Sequence, residues 1–568
     1  MRAKLAATTK PGQGDDSFPV SKLASPRNRL TWTTFISIVT AVFAVEVPFL
    51  FLGTPSGHDV EFHLYTWLEV LAQWKQGIIY PRWAALAHFG CGEPRFVFYP
   101  PLSWTLGAGL SAIFPWTMVS EVYILLVLVA AGVSMFMLAR LWLDRGDATY
   151  AAVLYAVNPY HLVIVYWRSA FAELLASALL PLLFLLVWRA EEKGRRVTIF
   201  LALVLASAWL VNAPAAVMIH YSLALLMLLL AWQRRSPRIL LVGTTAVFLG
   251  AALAAFYLLP AIYEQRWANL AQSVSGGSRP LDNFIFANTD DPDHDVFNRL
   301  ISWIALAEIF ITIAVAWMAR GWRNRNRELW WSLVAWAGVC AVLVFSVSNP
   351  LWNVLPKLRF MQFPWRWLLG LGVPFTLLTA LGVRKWTARV ALYFATLCLL
   401  GFVWHHFQPP WWDTAADLRE IHDNVASGAG YEGTDEYTPM GAEPSAINKD
   451  KDARRVRVVG PARAAIQISR WDAEHKLFTA NMSAPDNLAL RLFNYPAWRV
   501  EVNGHSVQTG MREGSGQMLV PVDTGENRVQ ITFIRTWDRG MGARISAAAM
   551  LLTLILLRMS SSRSPLDY

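Results

Sequence analysis

Cysteine is nearly missing: three occur in 568 residues, Cys91, Cys340 and Cys398. The last two fall inside hydrophobic runs, and no CxxC or Cys/His spacing occurs, so neither a structural zinc site nor a disulfide framework in the polar C-terminal region is expected. Charge is scarce too. Asp, Glu, Lys and Arg make up 16% of the chain, against about 25% in an ordinary soluble domain, while 55% is hydrophobic. That balance excludes a soluble globular protein. The polar, basic N-terminus lacks the small-residue cleavage site of a signal peptide, so residues 31–53 are expected to stay as an uncleaved anchor. No internal repeat and no low-complexity tract is present.

Long apolar blocks take the place of charge. They fall at roughly 31–53, 118–140, 149–166, 170–189, 197–211, 214–232, 238–262, 300–320, 328–348, 367–383, 387–405 and 541–558. Crossing a hydrocarbon core takes roughly 20 such residues. The expected fold class is a polytopic α-helical membrane protein with about 12 transmembrane helices. The net charge of +10 sits in short clusters between the blocks: "RAEEKGRR" (189–196), "RRSPR" (234–238), "RGWRNRNR" (320–327) and "RKWTAR" (384–389). Such loops are held on the cytoplasmic side of a membrane, and this pattern argues against nucleic acid as a partner. Many of the 28 tryptophans flank the blocks, where amphipathic rings settle at headgroup level. With the basic segment 1–30 and the tail 559–568 inside, residues 54–101, 264–299, 349–366 and 407–540 lie outside. The short apolar stretch 102–115 reads as an interfacial or re-entrant helix.

The segment 407–540 has a different character. Alternating runs such as "AAIQISR", "KLFTANM" and "NRVQITFIR", rich in β-branched residues, have the period of strands. "VNGHSV" (502–507) carries an Asn-Gly hairpin turn. The expectation is an extracytoplasmic β-sandwich, tied back by the last helix over 541–558.

The first large loop is dense in ionisable residues. From Asp59 onward, Val60, Leu64, Trp67, Leu68, Leu71 and Trp74 form an apolar stripe at helical spacing, and Gly77 is a plausible stop. The helix is expected to lie along the membrane surface with this stripe toward lipid. Asp59 and His63 share another face. Asp59 has two readings. Ser56-x-x-Asp59 resembles a capping box, and a carboxylate in a first turn, where the dipole favours negative charge, can also take a proton or grip a cation. His58 and His63 with Asp59 leave a metal site as an alternative, although a metal needs fixed ligand geometry. The following "YPRWAALAHFGCGEPRFVFYPPLSW" (80–104) holds Arg82, His88, Glu93, Arg95 and Tyr99 in a Gly- and Pro-punctuated loop. Irregular polar backbone near a bilayer must be buried in protein or line a wet cavity.

These residues carry a resemblance. "GHDVEFHLYTWLEVLAQWKQGIIYPRW" with "FGCGEPRFVFYPPLSW" resembles the first-loop signature of bacterial membrane proteins with a 6-pyruvoyl-tetrahydropterin-synthase-related domain. Those proteins are akin to YfhO-like proteins and to the GT-C glycosyltransferase superfamily. "NYPAWRVEVNGHSV" and "GQMLVPVDTGENRVQITF" resemble the closing β-domain of YfhO-like chains, and "LRFMQFPWRWLL" (358–369) resembles their Arg-Phe-Pro-Trp-Arg segment. Nothing here resembles the histidine zinc site of the pterin synthase itself. The resemblance implies a GT-C-like body over 31–406 and a sugar transferred from a polyprenyl-phosphate-linked donor at the outer face of the cytoplasmic membrane. The acceptor would be a glycan, lipid or protein. The implied acidic residue near the end of the first span matches Asp59. Family motifs often hold two close acids, but Glu61 is two residues on and faces elsewhere on a helix.

Other polar residues stand near the membrane. Arg168 and Glu173, in "YWRSAFAELL" (166–175), read either as a topology-fixing pair or as a cavity wall. Arg359 and Arg366, with Lys357, are candidates for a phosphate clamp, because arginine forks match phosphate oxygens; snorkelling to lipid headgroups is the alternative. "ANTDDPDHD" (287–295) is acidic but lacks EF-hand spacing, so it reads as a mobile acidic flap over the cavity, with a calcium-like cation site as the alternative; a divalent cation stays open as a cofactor. Exposed aromatics such as Trp498 would suit sugar stacking. The expected function is an inverting membrane glycosyltransferase with Asp59 as base. A lipid-linked-sugar flippase or a non-catalytic envelope assembly factor are the alternatives.

Overall fold

The computed structural model describes residues 30–191, 194–448 and 454–561. The basic segment expected over 1–30 lies almost wholly outside the described residues, as do most of the 559–568 tail and the middle of the 189–196 loop.

All twelve apolar blocks are helical. Among the described residues, eight helices are long and apolar enough to cross a membrane. Two more blocks are bent pairs: Arg238–Leu253 with Ala255–Trp267, at 74°, and Arg327–Leu343 with Ser346–Val354, at 92°. Length and composition thus support eight to ten spans where twelve were expected. The other two blocks are the helices Gly194–Val211 and Trp367–Gly382. The second has 16 residues, about 24 Å at 1.5 Å each, which is short of a hydrocarbon core. Every residue from Trp367 to Leu381 is buried, so this helix has protein on all sides, as its uniform apolarity requires.

The block at 149–166 is broken. Arg145–Ala156 is followed by Pro159–Val163, capped by Asn158, and then by a π turn, Ile164–Arg168. The turn ends at Ser169 in the left-handed region, φ 47°. Carbonyls freed by this unwinding meet the first loop: Trp167 O accepts from His58 N at 3.3 Å and Arg168 O from Asp59 N at 2.9 Å. Gly57 sits in the same seam, where a Cβ would lie 2.4 Å from Trp167 O.

That loop opens with Thr54–Pro55 (β1), paired antiparallel with Trp412–Asp413 (β2). The helix Val60–Lys75 follows. Its stripe does not face lipid. Val60, Leu64, Trp67 and Leu68 are buried, and Trp67 stacks on Tyr123 at 5.0 Å. The indole fills the space over Gly107 of the short helix Pro101–Ser111, which is the apolar stretch expected as interfacial or re-entrant.

Residues 407–448 hold helical pieces, chiefly Ala415–Ala426 with a capping box from Thr414 and Asp417, and the sandwich strands begin at Val456. They are β3 (Val456–Val458), β4 (Ala464–Trp471), β5 (His475–Met482), β6 (Asp486–Phe493), β7 (Trp498–Val502), β8 (His505–Ser506), β9 (Gly510–Met511), β10 (Gln517–Val522) and β11 (Gly525–Phe533). One sheet runs β3-β6-β10-β9 and the other β4-β5-β11-β7-β8. The expected Asn-Gly turn joins β7 to β8, with φ 52° at Asn503 and 83° at Gly504.

The sandwich does not close on its own side chains. Trp83 and Cys91 of the first loop belong to its apolar core. Trp83 packs edge-on to Trp498 at 5.4 Å and against Tyr495 and Phe533, and Phe493 N donates to Cys91 O at 2.9 Å. Trp498 is therefore buried, not an exposed sugar platform. Below, Arg539 at the start of the last helix grips Glu264 with two bonds of 2.7 Å, and Tyr495 donates to the same carboxylate at 2.6 Å.

Candidate active site

Asp59 ends up as the N-cap residue of the first-loop helix, yet its side chain makes no capping bond. The capping-box reading fails because Ser56 turns away toward Asp413. The Asp59 side chain is 43% exposed, and its Oδ2 lies 3.5 Å from Arg168 Nη2. Arg168 is held in place from behind. Its Nη1 reaches Glu173 Oε2 at 2.5 Å, and its guanidinium lies 4.7 Å from the Trp365 ring. Glu173 Oε2 also accepts from Arg366 Nε at 3.0 Å, while Tyr160 donates to Oε1 at 2.5 Å. Arg366 in turn donates to Met361 O at 2.7 Å and to Gln362 Oε1. Two carboxylates and two guanidiniums thus alternate, three of them buried and only Asp59 reaching water.

A second cluster lies inside the first loop. Glu93 accepts from Arg95 Nε at 2.6 Å, pairs with His88 Nε2 at 2.9 Å and accepts from Thr434 N at 2.9 Å. Burial alone would raise the Glu93 carboxyl, but Arg95 and His88 hold it below its ordinary range. Arg95 continues to Thr66 Oγ1 at 2.9 Å and lies over the Phe62 ring. Next to it, Tyr431 donates to Glu69 at 2.5 Å. His88, Glu93 and Arg95 are wholly buried, so they brace the loop and cannot touch a substrate in this arrangement.

Residues 96–406 match the family described as a 6-pyruvoyl-tetrahydropterin synthase related domain, a membrane protein. The chain belongs to this family. The matched segment includes Arg168, Glu173, Arg359 and Arg366, and begins after Asp59. No curated protein matches this synthase-related membrane protein. Among solved structures, it is similar to the oligosaccharyltransferase of Archaeoglobus fulgidus. The likeness to the apo form is 14% identity at a TM-score of 0.38, over 71% of this chain and 56% of that one. For the complex with zinc and sulfate it is 13% at 0.35, over 71% and 53%. The chain spans little more than half the length of those structures.

The remaining predicted residues of this family member are scattered. His58 is exposed at the edge of Phe297 and Trp411. Glu61 is exposed, and burial and then its neighbours Asp413 and Glu432 raise its carboxyl, on a face away from Asp59. His63 packs among Trp67, Tyr99 and Phe171, and burial pushes it down to about 4. Tyr99 stacks edge-on to Phe62 at 4.7 Å, its hydroxyl pushed well up by burial. Arg82 lies over the Tyr80 ring at 4.2 Å. Arg359 is exposed, unlike Arg366. Among the described residues no group of three or more His, Cys, Asp or Glu side chains is arranged to hold a metal ion. In "ANTDDPDHD", Asp291 caps the helix Pro292–Met318 and Asp295 binds Thr289, so both are spent on local structure. Sequence reasoning missed Tyr160 and Trp365 in the first cluster, and Glu69, Tyr431 and Thr434 beside the second. A tyrosine among apolar residues gives no signal until a distant carboxylate is placed against it.

Proposed function

We propose that this protein is a membrane glycosyltransferase that moves a sugar from a polyprenyl-phosphate-linked donor to an acceptor glycan, lipid or protein hydroxyl at the outer face of the cytoplasmic membrane. The observation that carries the reading is the uncapped Asp59 carboxylate, half in water, with a buried arginine network behind it. One Asp59 oxygen faces Arg168. The other takes the proton of the acceptor hydroxyl as that oxygen attacks the anomeric carbon. The bond from that carbon to phosphate breaks on the opposite side, so the product is inverted and polyprenyl phosphate leaves. Arg359 and Lys357, exposed and unpaired among the described residues, hold the phosphate, and Arg366 anchors their segment through Glu173.

The test is Asp59→Asn assayed with a radiolabelled polyprenyl-phosphate sugar. General-base assistance is worth roughly 10²–10⁴-fold, so transfer is expected to fall by that much while expression and thermal stability hold. Full activity in the variant removes Asp59 as base. Movement of the labelled lipid between leaflets without product supports a flippase instead, and neither movement nor product supports an assembly factor.

A further inference from the structure

A second hollow lies away from Asp59. The C-terminal half of the first-loop helix, the helix Ala415–Ala426 and strands β4 to β6 enclose a cleft of about 690 Å³, within the size range of small-ligand sites. Gln73, in its wall, is buried and donates through Nε2 to Trp83 O at 2.8 Å, which leaves Oε1 with no donor. Trp471, half-buried at the end of β4, offers a ring to the same space, with the Arg455 guanidinium 5.9 Å from its centre.

The charges around the cleft are unequal. Its acids are committed: Glu69 accepts from Tyr431 and Leu86 N, and Asp472 accepts from Arg470, Glu474 N and His475 N. Arg455 and Lys75 are exposed on the rim, and among the described residues neither pairs with an acid. An aromatic face in a cleft rimmed by cations that, among the described residues, meet no acid fits one ligand chemistry. We propose that this cleft binds a saccharide chain carrying carboxylates, of the uronic-acid class, and that it is the acceptor subsite of the transfer reaction. The subsite role rests on the transferase reading above; the binding itself does not. Gln73 follows Asp59 by fourteen residues along one helix, a rise of about 21 Å, so an acceptor chain held here can extend toward the base.

The experiment titrates the full chain, purified in detergent, with hexagalacturonate and with neutral maltohexaose, read by tryptophan fluorescence and calorimetry. Hexagalacturonate is expected to bind about tenfold or more tighter, with the gap closing as salt screens the charges. Arg455→Glu, at an exposed position, is expected to abolish the gap. Trp471→Ala weakens both sugars and Trp471→Phe restores part of the loss, while Asp59→Asn leaves both titrations unchanged. Absent saturable binding of hexagalacturonate, or equal binding of the two sugars, overturns the proposal even if Asp59→Asn proves inactive in transfer. Selective binding with wild-type transfer in Arg455→Glu overturns the subsite role alone.

Discussion

Glu173 holds two arginines with one carboxylate. Arg168 and Arg366 are both buried, and both use Glu173 Oε2. Removing that group leaves the buried Arg366 without its carboxylate and Arg168 with only the half-exposed Asp59 at 3.5 Å. Glu173→Ala is therefore expected to cost about 3–5 kcal/mol, the usual cost of breaking a buried ion pair, read as a large fall in the thermal midpoint. Asp59→Asn, with its partner at 3.5 Å and water beside it, should barely move that midpoint, because a half-exposed pair is worth roughly 0–1 kcal/mol. The contrast separates a residue that holds the cluster together from one that stands at its exposed edge. Part of this cluster was legible in sequence: charged groups at the ends of apolar blocks must find partners, so Arg168, Glu173 and Arg366 stood out. Their pairing across 193 residues was not legible, because nothing local connects the segments. The burial of Trp498 under Trp83 is hidden in the sequence for a related reason. An alternating strand pattern shows which residues share a face, but not what covers that face.

Among the elements, the first-loop helix and the π turn form one joint. The apolar stripe of the helix could be read from spacing, but its neighbour could not; lipid and a second protein layer make the same demand for apolar residues. The π turn left no sequence mark; its end is tied to the first loop by Ser169, whose hydroxyl accepts from Gly57 N and donates to Pro55 O, both at 2.9 Å. Gly57 is the contact point, with Trp167 O 2.4 Å from where a side chain would begin. Gly57→Ala is expected to push the chains apart at a cost of about 1–3 kcal/mol, the usual range for overpacking. The same shift separates Asp59 from Arg168, so transfer should fall more than stability, measured as activity against thermal midpoint in one preparation. Inside the helix, burial pushes Glu69 up to about 7. A carboxyl raised above its unfolded value of 4.5 contributes stability that is full below that value and is lost as pH rises through about 7. Glu69→Gln should accordingly flatten the fall in thermal midpoint between pH 5 and pH 8, which pH-resolved melting of both proteins will show.

At the scale of the molecule, the sandwich and the membrane body share a core. Trp83 lies among Tyr495, Trp498 and Phe533, and its side chain has no exposure to solvent. Trp83→Ala is expected to cost about 3–5 kcal/mol, as large-to-small core changes do. Protease should then cut the first loop and the 456–533 region while the spanning helices stay intact. The order of synthesis makes this seat unusual. The ribosome makes Trp83 early and Phe533 hundreds of residues later, an interval of tens of seconds at typical elongation rates. Throughout that interval the indole has no home. A chain truncated before its last strand would keep an unsheltered tryptophan on its first loop, a mark by which chaperones and proteases can tell an unfinished molecule from a finished one.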